Sequence, residues 1–387
     1  MMKRITPLFL LLVFCAPQQQ VKKEVKPKEK KVAEAKKNYD IAFDYYKMRQ
    51  YPKVIEKCEL AIKDSTTFVD AYILMGKSYE KLRNYPKAET TYLRAIKAIP
   101  NNVKPYVALG VLYRKWKRYR DAENIIRKGI AVDSTSADLW DAYGNLKEDM
   151  KDVKAAIIFY EKAHKLDPKN LGIVFRLGRA YLRDEKPEKA IVLLEKVKMD
   201  HPDDIEVLKL LGEAYMDAKK YDKAKEQFEH ILTIAPRHVS SHVYLAEIYT
   251  KKKQYSLAEQ EYLKALEIEP DNTTTYFYFI SMLIFDRKDT KKARTYLEKA
   301  KALGKDLEMF LCLEGDLYSQ EGFQALKKGI DKDDYNLLTA AINTFSKAIS
   351  IYDKVIKTGK EQRWIKYAQK GKERAIRFKK QAEEARW

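Results

Sequence analysis

Apolar side chains recur three and four positions apart through most of the chain, from Lys37 to about Ile356. The stretch from Tyr72 to Tyr79 is typical, and a second stretch with Ala88, Tyr92 and Ala95 follows it at the same spacing. This spacing places the apolar residues on one face of a helix. The pattern therefore predicts an all-α chain built from pairs of amphipathic helices.

The helix pairs repeat with a period of 34 residues. A glycine marks five consecutive copies: Gly76, Gly110, Gly144, Gly178 and Gly212. Alanine follows each glycine by twelve residues, and a tyrosine follows by three in every copy but one, where Lys147 stands instead. Further copies centre on Ala42, Ala246, Ser281 (with one extra residue) and Gly315, which makes nine units. A fixed period of this length indicates stacked supersecondary units.

Each position that recurs from repeat to repeat has a mechanical explanation. Two helices approach closely only where side chains are small, so the glycine predicts a close helix–helix contact, and the large tyrosine is expected to fill the space beside it. Prolines near the unit ends, such as Pro168, Pro202 and Pro270, end the second helix. The Asp or Asn beside them is expected to cap the next helix.

This pattern resembles the tetratricopeptide repeat (TPR) family over residues 38–356. The resemblance implies a right-handed superhelical solenoid whose first helices line a concave groove that binds proteins or peptides. The departures from the family pattern are local, at Lys147, Gly129 and Ser134 and in a stretched ninth unit.

In the ninth unit the second-helix group that contains Ala341 arrives 14 residues late. We predict a long hairpin over the insertion at about 321–335, with its tip near Gly329 to Asp334, and a structureless loop is the alternative. Residues 357–387 predict a basic helix whose stripe, from Trp364 to Ala382, caps the solenoid.

The first 15 residues differ from the repeats. Met1 to Arg4 is basic, Ile5 to Phe14 is almost wholly apolar, and Cys15 follows. This arrangement predicts a secretory signal peptide, and its end resembles a bacterial lipoprotein signal, which implies lipidation of Cys15. Phe14 departs from that signal, because a small residue is usual there, so an uncleaved anchor or another cleavage point is the alternative. Both readings place the solenoid in the cell envelope on the periplasmic side, and Ala16 favours the outer membrane.

Residues 16–37 predict a flexible tether. Eight lysines and three glutamates lie between Lys22 and Lys37, with few large apolar residues to bury. Its charge of +5 suits either an anionic lipid surface or a plain solvated spacer.

The net charge of +20 is concentrated at the ends. Lys357–Trp387 contributes +7 from eleven basic and four acidic residues. Such basicity is compatible with an acidic partner, but we expect no nucleic acid, since the export signal opposes it and no groove-reading motif is visible.

We find no pattern for catalysis, a cofactor or a metal. Gly76-Lys77-Ser78 lacks the earlier glycine of a phosphate-binding loop. His238 and His242 have the spacing of two ligands on one helix face, but no third ligand accompanies them. Cys58 and Cys312 lie in distant units and are expected to be buried and unpaired. An enzyme would need an unrecognised site in the ninth-unit insertion.

The groove is the candidate site. Counting three before, one after and four after each unit's small residue predicts its lining. The predicted partner-binding residues are Tyr39, Phe43, Tyr46, Lys77, Arg114, Asn145, Arg179, Lys209, Tyr278, Met282 and Phe285. Aromatic ends and a charged middle suit a peptide with apolar anchors, although the aromatics could instead pack against the tether or the terminal helix.

Two functions are compatible with these features. The first is a membrane-tethered scaffold that binds proteins in a cell-envelope complex. The second is a recruiter of cell-wall enzymes, or a binder of anionic envelope polymer, that works through the basic termini. The sequence predicts neither the partner nor the oligomeric state.

Overall fold

The computed structural model describes residues 27–387, with burial of side chains from residue 29 onward. The chain divides into two compact units, unit 1 ending at Leu166 and unit 2 beginning at Asp167. The predicted signal peptide, Cys15 and the first half of the predicted tether, residues 16–26, lie outside the described residues.

The described part of unit 1 is four helical hairpins. In each hairpin we call the first helix A and the second helix B. The helices are α1 (Pro27–Lys47), α2 (Tyr51–Asp64), α3 (Val69–Lys81), α4 (Tyr85–Ala98), α5 (Lys104–Lys115), α6 (Tyr119–Val132), α7 (Ala137–Asp149) and α8 (Val153–Leu166).

Unit 2 continues the same alternation of A and B helices and ends with one further helix. Its helices are α9 (Leu171–Arg183), α10 (Pro187–Asp200), α11 (Ile205–Asp217), α12 (Tyr221–Ile234), α13 (Val239–Lys251), α14 (Tyr255–Ile268), α15 (Thr273–Ser281), α16 (Thr290–Ala302), α17 (Leu307–Lys332), α18 (Tyr335–Thr358) and α19 (Gln362–Ala385). The predicted all-helical repeat architecture is confirmed, and residues 27–387 contain no strand.

The repeated glycines mark close contacts between the A and B helices of one hairpin. A Cβ added to Gly76 would lie 2.2 Å from the ring of Tyr92, and one added to Gly144 would lie 2.5 Å from the ring of Tyr160. Both rings are fully buried. The predicted close approach of the two helices is confirmed at these glycines, and the side chain opposite each of the two is an aromatic of helix B.

The tyrosine three residues after the glycine joins neighbouring hairpins. Tyr113 donates a hydrogen bond of 2.6 Å to Glu89 on the B helix of the preceding hairpin. Burial and this carboxylate raise the pKa of Tyr113, which keeps the phenol protonated. The hairpins are thus connected by polar contacts as well as by apolar packing.

The caps of the A helices lie closer to the helix than the sequence argument placed them. Asn170 and Asp204 accept the capping hydrogen bonds, from Ile173 and from Glu206 and Val207, not the residues that adjoin Pro168 and Pro202. Asn272 is a cap as predicted. A cap must be the residue directly before the first helical turn, and the proline lies two or more residues earlier.

Helix α1 begins ten residues before the end of the predicted tether. Residues 27–37 are helical, with Ala35 1% exposed and Glu34 paired with Lys37 at 3.5 Å. Lysine, glutamate and alanine favour helices, and proline suits a first turn. A composition with few apolar residues therefore did not mean an irregular chain here.

The extra residue of the eighth hairpin lies inside a helix. After α15 the residues Met282–Asp286 form a π-helical segment, with a hydrogen bond of 3.0 Å from the Arg287 amide to the Met282 carbonyl. A π turn accommodates one residue more than an α turn. The left-handed turn residue that follows lies at Lys288, 35 positions after its counterpart Lys253.

Helices α17 and α18 form the long hairpin of the ninth unit, and Asp333 and Asp334 make its tip, inside the span that the sequence predicts. Helix α19 packs on both through Ala368, Ala375 and Ala382, which are all fully buried.

Candidate functional site: a cleft on the A helices of unit 1

The A helices α1, α3 and α5 contact one another in sequence order and line a cleft of about 810 Å³. Four of the predicted groove residues, Tyr39, Phe43, Tyr46 and Lys77, lie in its wall. Pockets of roughly 300–1,000 Å³ are typical of ligand sites. The packing of α1 against α3 thus brings the predicted residues of the first two repeats together.

The aromatic wall of the cleft belongs to α1. The rings of Tyr39 and Phe43 are stacked with centroids 6.3 Å apart, and Tyr39 also meets Phe68 edge-on at 5.1 Å. Phe43 is 43% exposed although it is one of the larger apolar side chains. The pKa values of Tyr39 and Tyr46 are raised, mainly by burial, so both phenols are neutral hydrogen-bonding groups. An exposed ring held by neighbouring rings suits an apolar side chain of a ligand.

The floor of the cleft is aliphatic and was missed in the sequence analysis. Ile73 on α3 and Val107 and Val111 on α5 line it, each of them half-buried. They occupy the positions three before or one after a repeat glycine, so the counting rule itself contained the signal. Apart from Met282, only the polar and aromatic side chains at those positions were taken as candidates.

The charges around the cleft are partly paired. Lys104 contacts Asp70 at 2.8 Å, and Lys115 contacts Glu80 at 2.7 Å. Glu80 also accepts a hydrogen bond of 2.7 Å from the buried Tyr92, which fixes its carboxylate. Lys77 and Lys81 make no such pair among the described residues, and both are exposed. The cleft therefore has two cationic groups available beside an apolar surface.

The predicted groove residues of the middle repeats have partners within the compact unit, 1 or 2, to which they belong. Arg114 forms an ion pair of 2.9 Å with Asp149, and Asn145 donates to the Asp141 carbonyl at 2.8 Å. In unit 2, Lys209 lies 3.9 Å from Glu213 on the same helix. Arg179 is half-buried above the ring of Phe175. These four side chains do not line the unit 1 cleft.

Of the three groove residues predicted at the eighth unit, Met282 is 2% exposed. This assignment is corrected: the π-helical segment that begins at Met282 shifts the register of the helix and places this side chain in the core. Tyr278 and Phe285 are each 39% exposed. Burial, followed by the charge of Glu247, raises the pKa of Tyr278.

Phe285 lies against the terminal helix. Together with Arg374 and Phe378 of α19 and Phe323 of α17 it lines a small cleft of about 220 Å³. Phe277 likewise packs on Trp364 of α19, with centroids 5.6 Å apart. Of the predicted aromatics at this end of unit 2, Phe285 thus shares a cleft with the terminal helix, whereas Tyr278 stacks edge-on against Phe277.

A buried carboxylate ties α19 in place. Asp316 on α17 accepts hydrogen bonds from the hydroxyls of Tyr352 and Tyr367 at 2.8 and 2.6 Å and from Arg374 at 3.2 Å. Burial raises the pKa of Asp316, and its three donors act in the opposite direction. A fully paired buried acid of this kind orients helices.

The two histidines examined as metal ligands have protein partners. His242 pairs with Glu261 at 2.6 Å through Nδ1, and His238 contacts the Ser241 hydroxyl at 2.8 Å. Cys58 and Cys312 are buried free thiols, and burial raises the pKa of each to about 12. Between residues 27 and 387 no helix has the length and apolarity that crossing a bilayer requires.

Comparison with known proteins gives the family of the repeats. The model of the cytochrome c-type biogenesis protein H TPR domain matches residues 123–242. Two tetratricopeptide repeat models match residues 215–283 and residues 69–102 and 103–136. No curated protein matches the chain in sequence.

Two solved tetratricopeptide repeat structures share the fold, and a third has a lower similarity score. A tetratricopeptide repeat protein from Parabacteroides merdae is 16% identical, with 71% of this chain and 98% of that chain covered and a TM-score of 0.53. The C-terminal part of a TPR repeat-containing protein from Cytophaga hutchinsonii is 20% identical, with 60% and 95% covered and a TM-score of 0.50. YrrB, a TPR protein with an unusual peptide-binding site, is 22% identical, with 48% and 95% covered and a TM-score of 0.45.

The family models that match are all repeat models, and repeats of this kind mediate protein–protein interaction. The spacing of the glycines, the hairpins of the structure and these matches agree. The chain therefore carries tetratricopeptide repeats.

Proposed function

We propose that this chain is a membrane-tethered scaffold of the cell envelope that holds a protein partner in the unit 1 cleft. The observation that carries the proposal is the cleft itself, in which the exposed ring of Phe43, half-buried tyrosine rings, an aliphatic floor and two unpaired lysines lie together. Such a combination binds a short segment of a partner by its side chains rather than performing chemistry on it.

The chemistry of the cleft selects the segment. An apolar side chain of the partner would pack against Phe43 and Tyr39, where the rings are already held by their neighbours. A carboxylate a few residues away would reach Lys77 and Lys81. Both lysines lie beside apolar surface, where a charge pair is less screened than in open water. We therefore propose an extended peptide that carries an aromatic or aliphatic anchor and an acidic side chain.

The tether in this proposal rests on residues 1–15 of the sequence. We propose that Cys15 carries a lipid, that the repeats face the periplasm, and that the outer membrane is the anchor site. Incorporation of labelled palmitate in bacteria tests the lipidation of Cys15 directly. Label in the wild type and none in Cys15→Ser supports the anchor, whereas equal label in both proteins refutes it.

Peptide selection by the full chain, followed by titration calorimetry of the selected sequences, tests the cleft. We compare the wild type with a Phe43→Ala, Lys77→Glu variant. The Tyr278→Ala, Phe285→Ala variant is a matched control, because it also removes exposed aromatics. Loss of an aromatic anchor costs about 1–3 kcal/mol in an interface, so we expect at least about tenfold weaker binding in the cleft variant.

The control distinguishes the two ends of the chain. Weaker binding by the cleft variant, together with unchanged binding by the Tyr278→Ala, Phe285→Ala variant, supports the cleft of unit 1 as the site. If only that variant loses the peptides, the site belongs to the eighth unit. If both variants bind as the wild type does, the groove assignment fails altogether.

One observation favours the second function, a binder of anionic envelope polymer. The outer face of α19 exposes Lys366, Lys370, Arg377 and Lys380, while its alanines are buried. Deleting the helix would uncover the core, so replacing these four cations by glutamine is the cleaner experiment. Loss of binding to isolated cell-wall polymer with peptide binding intact would support this function.

A further inference from the structure

The turns between the A and B helices of unit 1 have an unusual backbone. Arg49, Arg83 and Lys117 follow α1, α3 and α5 with φ values of 58°, 56° and 60°. This left-handed conformation usually selects glycine, because a Cβ clashes with the neighbouring carbonyl. Three successive turns of this unit place a long basic side chain there instead.

These cationic groups have no partner among the described residues, since no ion pair, hydrogen bond or ring contact holds any of the three, and all three residues are exposed. Elsewhere in the same unit the exposed cations Arg94 and Lys104 pair with carboxylates at 3.0 and 2.8 Å. The three turn cations therefore present uncompensated charge to the surroundings.

An apolar side chain precedes each cation. Met48 is 63% exposed and Leu82 is 45% exposed, and both rank among the larger apolar side chains left uncovered. Trp116 is half-buried, with its ring 5.7 Å from that of Tyr85 at the start of α4, the B helix of the preceding hairpin. Each turn thus presents an apolar residue followed by an unpaired cation.

The three turns lie on one edge of unit 1. They follow the carboxyl ends of three A helices that contact one another in order, α1 with α3 and α3 with α5. Packed helices lie about 8–10 Å apart, so the edge carries a row of turns over roughly 20 Å. The fourth turn, at Lys151, adds less charge because Asp149 and Asp152 flank it.

We propose that this edge, formed by residues 48–49, 82–83 and 116–117, docks unit 1 on an anionic lipid surface. The apolar side chains enter the region between headgroups and acyl chains, and the arginines and lysine contact the lipid phosphates. Exposed apolar residues beside flexible cations are the combination that binds at a bilayer interface. Tyrosine and tryptophan side chains, such as Tyr85 and Trp116, also favour that depth.

The arrangement favours a lipid surface over an acidic peptide. A peptide site needs a cleft with fixed hydrogen-bonding groups, whereas the turn cations and two of the three apolar side chains are exposed, and the turns recur every 34 residues. A fluid anionic surface requires only that charges and apolar groups face the same way. This inference concerns the edge of unit 1 and does not require the cleft or the lipid anchor.

Vesicle binding tests the inference. Every protein is the full chain with Cys15→Ser, so that no lipid group dominates. The test variant carries Arg49→Asn, Arg83→Asn and Lys117→Asn, because asparagine tolerates the left-handed conformation. The charge-matched control carries Lys219→Asn, Lys253→Asn and Lys288→Asn, which alter the same left-handed turn position in unit 2. Two of these control lysines follow other basic residues and one follows an alanine.

Vesicles of phosphatidylcholine, with or without phosphatidylglycerol, are pelleted with each protein. Each cation near an anionic surface contributes roughly a factor of five to binding, so the test variant should bind the phosphatidylglycerol vesicles about a hundredfold more weakly. We expect a change below about threefold for the control, since its turns have no exposed apolar partner and its charges lie on another unit. Circular dichroism of each variant checks that the helices are intact.

Tryptophan quenching by brominated lipid shows which part of the chain enters the bilayer. We expect quenching of the wild type on phosphatidylglycerol vesicles, and loss of most of it in Trp116→Phe. Equal losses of vesicle binding in the test and control variants would reduce the effect to net charge and overturn the inference. So would unchanged binding in the test variant, or quenching that Trp116→Phe does not alter. Binding to soluble polyglutamate as tight as to vesicles, without quenching, would assign the edge to an acidic protein and also overturn it.

Discussion

Replacing Gly76 by alanine tests the contact on which each hairpin depends. The new Cβ would lie 2.2 Å from one atom of the Tyr92 ring and 2.4 Å from another. Contacts below 3 Å do not occur, so α3 and α4 must separate or the ring must turn. The ring is fully buried and its hydroxyl is held by Glu80 at 2.7 Å, which leaves the helices to move.

The expected loss of stability follows from two opposing effects. Overpacking of a core costs about 1–3 kcal/mol, and the severity of this contact places it at the upper end. Alanine is a better helix former than glycine by about 1 kcal/mol. The net effect is a destabilisation of about 2 kcal/mol. Hydrogen exchange of the α3 and α4 amides should then accelerate about thirtyfold if exchange occurs through opening of this hairpin.

Two comparisons isolate the contact. Gly172→Ala also introduces alanine into a helix, but its Cβ would meet the Asn170 oxygen at 3.2 Å and the end of the flexible Arg176 side chain at 3.4 Å. We expect it to change stability by less than about 0.5 kcal/mol. In a Tyr92→Leu background, which removes the ring, Gly76→Ala should cost little. Equal effects of Gly76→Ala and Gly172→Ala, or no coupling to Tyr92→Leu, would refute the reasoning.

Three further predictions concern ionisable groups. Burial raises the pKa of Glu247 to about 7, so the folded state binds this proton more tightly than the unfolded state and stability falls as pH rises between about 4.5 and 7. Glu247→Gln should therefore stabilise the chain by about 1–2 kcal/mol near pH 8 and change little near pH 4 in urea titrations, and an equal effect at both pH values would contradict this. The Tyr143 hydroxyl, assisted by Arg127 and Lys147, lowers the pKa of Glu123 to about 2; its charge therefore stabilises the fold above about pH 4.5, by about 1 kcal/mol after screening, and this is lost as pH falls towards 2. Glu123→Gln should therefore lower the free energy of unfolding at pH 7 and leave it nearly unchanged at pH 2. A difference from the wild type that is equal at both pH values would contradict this role of the Glu123 charge. The third prediction is that Cys58 and Cys312 resist iodoacetamide at pH 8 in the folded chain and react in urea, as mass spectrometry of the alkylated chain would show; rapid labelling without urea would contradict their burial.

The sequence predicted the hairpins because the spacing of apolar residues along a short segment is enough to place them on one face of a helix. It predicted four residues of the unit 1 cleft because the A helices of neighbouring hairpins share one register, so Tyr39 and Lys77 face the same way. The aliphatic floor with Ile73 was missed because an apolar residue on a helix is usually part of the core, and only the structure shows which ones remain half-exposed.

The remaining differences arise from tertiary context. Met282 was placed in the groove by counting from Ser281, but the extra residue turned its side chain inward. Residues 27–37 were assigned to a tether by composition, while helix propensity and the burial of Ala35 extend α1 through them. The side chain that faces each of the five regularly spaced glycines lies 16 residues later on the opposite helix, and the sequence pattern alone does not show which residue it is.

The π-helical segment at Met282–Asp286 explains how the repeats survive an insertion. One residue added to an α-helix rotates everything after it by about 100°, which would turn the following hairpin away from its neighbour. The wider turn takes up the added residue as a local bulge, and α16 still buries one face, with Ala293, Leu297 and Ala300 fully buried. A change in length at one repeat is thus absorbed within a single helical turn. The other repeats can therefore keep the same spacing of their small and apolar residues.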